Sequence, residues 1–327
     1  MAPPWVRPTS CDTFVAVGGL AGSATLLGKN SDRPAFDCQP LRHHAEATHP
    51  VGSTIQLEYV SIPQAEHTRA TCGSSPYWCW GYEMGMNSSG VAIGNEAIFT
   101  KELARTVALH EASAAGRGAP VPLGVSGMAV LRIGLERGAT AEAALTAMVA
   151  VIEEFGQWGS AVPGADHVAG SYDNSFLIAD GTEAWVLETA GKHWVAKRVP
   201  SGTTAAISNE PIIRTEWDRC SDGLVEHAVQ HGWWAADAAA SFDFALAYVD
   251  HAAPLQVSHI RLQRSRQLLA EKGDAANVDV AWCKRILRDH LETSFLCGMS
   301  MSSYEWSEKR FYFSCEISLK RDVELCS

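Results

Sequence analysis

Cys11 is the residue with the most chemistry to offer. It stands just ahead of an apolar run, Thr13 to Val17, after which a Gly-rich segment, Gly18 to Ser23, leads into a second run, Thr25 to Asn30. That pattern predicts a β-hairpin. In an antiparallel pair the end of the second strand lies beside the start of the first, so Asn30, Ser31 and Asp32 are expected next to Cys11. A thiol facing an aspartate and polar amides can be a nucleophile, because a base or a positive charge lowers its pKa and frees the thiolate. The other reading of the same spacing is a buried cysteine beside a turn.

The remaining chemistry-bearing residues form no comparable group. Nine cysteines stand at 11, 38, 72, 79, 220, 283, 297, 315 and 326, an odd number with no CxxC pair. The first ten residues, MAPPWVRPTS, carry no apolar signal core, so a reducing, cytoplasmic setting and free thiols are expected. Among 12 histidines, His43, His44 and His49 cluster in a polar stretch without an HExxH or similar ligand spacing, so no metal and no other cofactor is expected. The 26 basic against 37 acidic residues give a net charge of -11, and no segment is basic enough to track phosphates. Nucleic acid is therefore an unsuitable partner. No apolar run reaches the roughly 18 residues that span a bilayer. With 46% hydrophobic residues and 11 Trp the chain has the material for a large core.

Elements must hold the thiol in place, and their order is readable. Gln56 to Ile62 alternates like a half-buried strand, and Val91 to Asn95 follows the turn at 87–90 as a core strand. Ser126 to Arg137 has helical spacing and stops at Gly138, and Thr140 caps a second helix ending at Phe155 and Gly156. Ser175 to Ala179, Ala184 to Glu188, His193 to Arg198 and Ala205 to Asn209 then predict an antiparallel meander. Helices are expected at Phe242 to Val249, Ser258 to Lys272 and Val278 to Leu291. Strands, helices, strands, helices is the order of an α+β fold with helices covering antiparallel sheets. The expected organisation is a leader at 1–10, one domain at 11–297 and an atypical, disordered tail at 298–327 in which no strand is foreseen.

Several longer strings carry a family resemblance. Ser10-Cys11-Asp12-Thr13-Phe14-Val15, Gly28-Lys29-Asn30-Ser31-Asp32-Arg33-Pro34, Trp80 to Asn87, Gly94-Asn95-Glu96-Ala97, Trp185 to Lys192, Ile207-Ser208-Asn209 and Gly232-Trp233-Trp234 resemble the secernins and their bacterial dipeptidase relatives. That group is cysteine N-terminal-nucleophile hydrolases, close to the choloylglycine hydrolases, and the resemblance covers roughly 11–297. It implies a four-layer αββα sandwich, incomplete here at its C-terminal end.

It further implies that Cys11 becomes the first residue of the mature chain, its thiolate the nucleophile and its freed α-amino group the base. The Ser10–Cys11 bond must then be cut before any turnover. By motif position Lys29 stands where the choloylglycine branch has an arginine, and Asp32 matches the aspartate that orients the amino group. Asn95 and Asn209 match the asparagines of the oxyanion hole and of substrate positioning, and Arg261 matches a late active-site arginine. Structural duties are the alternative for each: turn capping for Asp32, strand-end pinning for the asparagines, a solvated lysine. Glu83 and Glu96 are candidates for binding the ammonium of a peptide substrate, against ordinary surface or turn carboxylates. Tyr77, Trp78 and Trp80 are expected in the core. The activity implied is hydrolysis of a dipeptide or similar small amide through a thioester. A non-catalytic interaction role in regulated exocytosis and acylamide hydrolysis or acyl transfer are the alternatives, and self-association stays open.

Overall fold

The computed structural model describes residues 10–33, 37–253 and 258–291, and the backbone of 314–320. The hairpin is present: β1 (Ser10–Gly18) and β2 (Ala24–Asp32) pair antiparallel with Ser10 opposite Asp32, Cys11 opposite Ser31 and Thr13 opposite Lys29. Leu20 and Ala21 carry the turn with φ of 50° and 57°, a left-handed conformation that non-glycine residues seldom adopt.

Apart from two short two-stranded ribbons within 47–68, seven further strands follow in chain order: β3 (Leu41–His44), β4 (Thr71–Ser74), β5 (Met84–Asn87), β6 (Ala92–Ile98), β7 (Asp173–Ala179), β8 (Ala184–Ala190) and β9 (His193–Val199). They form one antiparallel sheet. The next strand, β10 (Thr204–Ile207), leaves that meander and pairs with β1 of the hairpin, Thr13 opposite Ile207. After it, β11 (Arg219–Cys220) returns to the large sheet and closes it on the far side of β9. The expectation of a fourth meander strand at 205–209 is corrected. The reason is the turn at 200–203, where Gly202 N donates to Val17 O and Val17 N to Thr203 O, so the chain is handed to β1.

Helices are α1 (Lys101–Ala114), α2 (Gly127–Arg137), α3 (Ala141–Phe155), α4 (Leu224–Gln230), α5 (Phe244–Tyr248), α6 (Ser258–Ala270) and α7 (Val280–Leu287). Ser126 and Thr140 cap α2 and α3 by accepting from Ala129 N and Ala143 N, and Gly156 ends α3 at φ 77°, as their sequences foretell. Helix α1 was not foreseen: Thr100 caps it by accepting from Leu103 N, but only Glu102 and Leu103 of it are buried, so its sequence shows no apolar stripe.

Strand alternation sorts the side chains into three of the four cores among the described residues. Val15, Val17 and Leu27 of the small sheet meet Ala92, Leu177, Ala179 and Val186 of the large one. The opposite face of the large sheet, Ile93, Phe176, Ile178 and Leu187, packs on Leu131, Leu145 and Met148 of α2 and α3. Phe14, Ala16 and Leu26 on the outer face of the small sheet pack on Leu262, Leu268, Ile286 and Leu287 of α6 and α7. Helix, sheet, sheet, helix is the αββα order expected.

Two more expectations are corrected. The strand foreseen over 56–62 is a tight ribbon of Thr54–Gln56 against Ser61–Pro63, closed where Leu57 N donates to Val60 O at 2.9 Å. Glu58 at its tip is drawn inward, accepting from Trp80 N at 2.8 Å and from the Cys79 thiol at 2.9 Å. Within the tail, 314–320 forms β12 (Ser314–Lys320) antiparallel to β2 and extends the small sheet to the order β10-β1-β2-β12. A strand therefore exists where none was foreseen: Cys315, Ile317 and Leu319 alternate with polar residues, a usable signal, but the pairing partner lies almost 300 residues away. The rest of 298–327, and residues 1–9 of the expected leader at 1–10, lie outside the described residues.

Candidate active site

Because side chains alternate along a strand, the two faces of the β1–β2 hairpin offer two environments around one residue. Cys11, Thr13, Lys29 and Ser31 share the face of Val15 and Leu27, toward the large sheet. Ser10, Asp12, Asn30 and Asp32 share the face of Phe14 and Leu26, toward α6 and α7. The thiol of Cys11 thus points between the sheets while polar groups of the other face surround its main-chain nitrogen.

On the nitrogen side, Cys11 N donates to Asn209 Oδ1 at 3.0 Å. Arg261, on α6, donates to that same oxygen at 2.6 Å, to Ser208 Oγ at 3.2 Å and through Nε to Asp12 at 2.9 Å. Burial pushes the Asp12 carboxyl up, with Arg261 opposing. Asp32 accepts from Ser10 Oγ at 2.8 Å, one residue before the thiol. Asn209 can reach this point only because β10 joins β1. Its own nitrogen donates to Ala97 O at 2.9 Å, so its oxygen faces Cys11.

On the thiol side the charges are buried. Cys11 is 8% exposed, and Lys29 and Glu96 are fully enclosed. Lys29 Nζ donates to the Asn95 carbonyl oxygen and lies 3.3 Å from Glu96 Oε1, which also accepts from Thr13 Oγ1. Burial pushes the Cys11 thiol up, and Lys29 pulls it back. Burial alone would lower the Lys29 ammonium, but Cys11, Glu96 and Glu83 outweigh it and hold the group above the usual lysine range. Burial pushes the Glu96 carboxyl up to about 8 against the opposing Lys29. Gly94 makes room for this pair, since a Cβ there would lie 3.0 Å from Lys29 Cδ and from Thr13 Oγ1.

Neither Glu83 nor Glu96 is a surface or turn carboxylate, and each is already held by a cation of the chain. Glu83 is 2% exposed and pairs with Arg33 Nη1 at 2.9 Å. Arg33 also takes Asp37 at 2.5 Å and Ala161 O at 2.9 Å, and stays charged because Glu83, Tyr172 and Asp37 together outweigh its burial. The Asn95 amide lies 2.8 Å from Asn174 Oδ1, and turned about its axis its nitrogen donates to Glu83 Oε2 at 3.0 Å. The turned orientation is the favourable one, because a carboxylate only accepts. Carried on through Asn174 to Gln157, it also gives the buried Gln157 nitrogen an acceptor.

The structure therefore brings Cys11, Lys29, Asp32, Asn209 and Arg261 directly together, with Glu96 behind Lys29 and Asn95 and Glu83 one step further. Sequence reasoning missed Asp12, Thr13, Arg33, Tyr172 and Asn174. The alternation of β1 gives Thr13 the face of Cys11, which was a usable signal. Arg33 and Asn174 gave none, as their partners lie 50 and 79 residues away. Tyr77 is half exposed rather than in the core, while Trp78 and Trp80 pack at its margin. Among the described residues no group of His, Cys, Asp and Glu could hold a metal ion, and six cysteines are free thiols.

The sequence profile of peptidase family C69 matches residues 56–257. A dipeptidase of Bifidobacterium longum (strain NCC 2705) is 29% identical over 210 residues, which are 61% of this chain and 37% of that protein. The chain thus matches little more than a third of that relative's length. Among solved structures, an N-acylethanolamine-hydrolyzing acid amidase ortholog from Caenorhabditis elegans is similar at 13% identity over 86% of both chains, TM-score 0.42. A conjugated bile acid hydrolase mutant from Clostridium perfringens is similar at 13% identity over 84% of this chain and 78% of that one, TM-score 0.41.

Proposed function

Since the chain belongs to peptidase family C69, we propose that it hydrolyses an amide bond in a dipeptide or similar small amide, with Cys11 as the nucleophile. The observation that carries this reading is the convergence on Cys11 N: β1, β2, the end of β10 and α6 each bring a polar group to one main-chain nitrogen or its flanking residues. A structural cysteine has no use for such a cage. A nitrogen that is to become a free amine does.

Cleavage of the Ser10–Cys11 bond converts that nitrogen to an α-amine with an ordinary pKa of about 7.7–8.0. Asn209 Oδ1, which already accepts from this nitrogen, would hold one of its hydrogens, and Asp32, relieved of Ser10 Oγ by the cleavage, would take another. The amine takes the thiol proton and the sulfur attacks the substrate carbonyl carbon, forming the C–S bond. As the tetrahedral adduct collapses the C–N bond breaks, and the ammonium returns its proton to the leaving amine. Water then attacks the thioester, giving its proton to the same amine, and the acid leaves as the thiol re-forms. Lys29 favours the thiolate throughout by its buried charge.

The test is N-terminal sequencing and intact mass of the purified chain, with hydrolysis of a dipeptide panel. The expected result is a chain beginning at Cys11 whose turnover is lost in Cys11→Ala. Turnover retained in Cys11→Ala, or by a chain still carrying Ser10, would refute the mechanism.

A further inference from the structure

We propose that Ser31 is a positioning residue for the nucleophile, its hydroxyl donating a hydrogen bond to the Cys11 sulfur when that sulfur is ionised; the inference rests on Cys11 being the nucleophile. Ser31 is directly opposite Cys11 in the β1–β2 register, and both side chains are on the face toward the large sheet. Opposed residues of an antiparallel pair hold their Cβ atoms about 4.5–5.5 Å apart, close enough for a hydroxyl and a sulfur to meet.

Ser31 is 7% exposed, and among the described residues its Oγ has no hydrogen-bond partner. A buried hydroxyl without a partner is costly, so a partner that exists only in one state of the site is its natural explanation. A neutral thiol is a weak acceptor, whereas the thiolate is a strong one. The adjoining hydroxyl on this face, that of Thr13, is committed to Glu96. Thr25, also on this face and unpartnered among the described residues, lies six residues along β2, so Ser31 is the hydroxyl beside Cys11 that can answer the change of charge on sulfur. The Asp32 main-chain N–H also lowers the Cys11 pKa by hydrogen bonding, so consecutive groups of β2 would serve the same atom.

The experiment uses protein processed to begin at Cys11 and follows iodoacetamide alkylation of that residue against pH by peptide mass. Ser31→Ala should raise the midpoint of alkylation by about one pH unit and lower kcat by about tenfold, the scale of one hydrogen bond to a charged group. KM should stay within about twofold, and Ser31→Thr, which keeps the hydroxyl, should follow the wild type. If Ser31→Ala melts early, Ser31→Cys, with similar volume and a weaker donor, carries the same expectation. An unchanged midpoint overturns the proposal whether or not kcat falls, because a fall alone would place the hydroxyl on substrate. Failure of the reading of Cys11 looks different: turnover would survive Cys11→Ala, and no Ser31 variant would bear on it.

Discussion

Lys29 shows how much one side chain carries at this site. It is enclosed between the sheets with Glu96 at 3.3 Å, and its ammonium also stabilises the Cys11 thiolate. Without Lys29 the buried Glu96 carboxyl loses both a hydrogen-bond donor and the cation that opposes its burial. Lys29→Met should therefore lose activity and stability together. Adding Glu96→Gln should recover most of the stability and none of the activity, measured by urea unfolding and turnover. Recovery of activity in the double variant would show that Lys29 serves Glu96 rather than sulfur. Asn209 makes a different prediction, since its oxygen holds Cys11 N and its nitrogen is spent on Ala97. Asn209→Ala should lower kcat about 100-fold with KM little changed, the size of effect expected when a reacting group is misplaced. A change confined to KM would place Asn209 on substrate instead.

At the scale of elements, the site depends on how closely α2 approaches β7. The first residue of α2, Gly127, faces Asn174, and a Cβ there would lie 2.1 Å from the end of the Asn174 side-chain amide. Gly127→Ala must displace either the helix or the Asn174 amide, which passes the hydrogen-bond chain from Gln157 to Asn95. A destabilisation of about 1–3 kcal/mol is expected from such overpacking. Gly181→Ala is the control, as its added Cβ meets nothing within 4 Å. Thermal melting and turnover of both variants decide it: equal behaviour would mean that the α2–β7 contact has slack. The helices themselves were legible because Ser126, Thr140 and Gly156 mark their ends locally. The approach of α2 to Asn174 was not legible, because nothing in a helix start names the strand it will touch.

The whole molecule carries an unusual store of buried acid. Burial holds Glu96 up to about 8 and both Asp173 and Glu188 up to about 7. An unfolded chain ionises these groups near pH 4–4.5, so at higher pH it binds fewer protons than the folded chain. Stability must then fall as pH rises through this range. His167 and His193, which burial holds down to about 4, act in the opposite sense but only below about pH 6.5. Between pH 6.5 and 8 the acids act without that opposition. The melting temperature should drop across this interval, and Glu188→Gln should flatten the drop. A melting temperature that rises from pH 6.5 to 8 in the wild type would contradict the burial of these carboxyls as charged-state penalties.

By itself the sequence determined what short-range physics determines. The hairpin followed from two apolar runs around a glycine turn, and antiparallel pairing alone was enough to put Ser31 and Asp32 beside Cys11. Helix ends followed from caps, and helices covering antiparallel sheets from the alternation of strand and helix patterns, while the four-layer order was what the family resemblance implied. The tertiary structure decided the rest, because the partners are distant in the chain. Asn209 meets Cys11 across 198 residues only because β10 crosses to the small sheet, and Arg261 reaches Asn209 and Asp12 from α6. Likewise no local pattern could say that Glu83 and Glu96 would be buried against Arg33 and Lys29. A carboxylate reads alike on a surface and in a core, and which cation neutralises it is settled when the two sheets close.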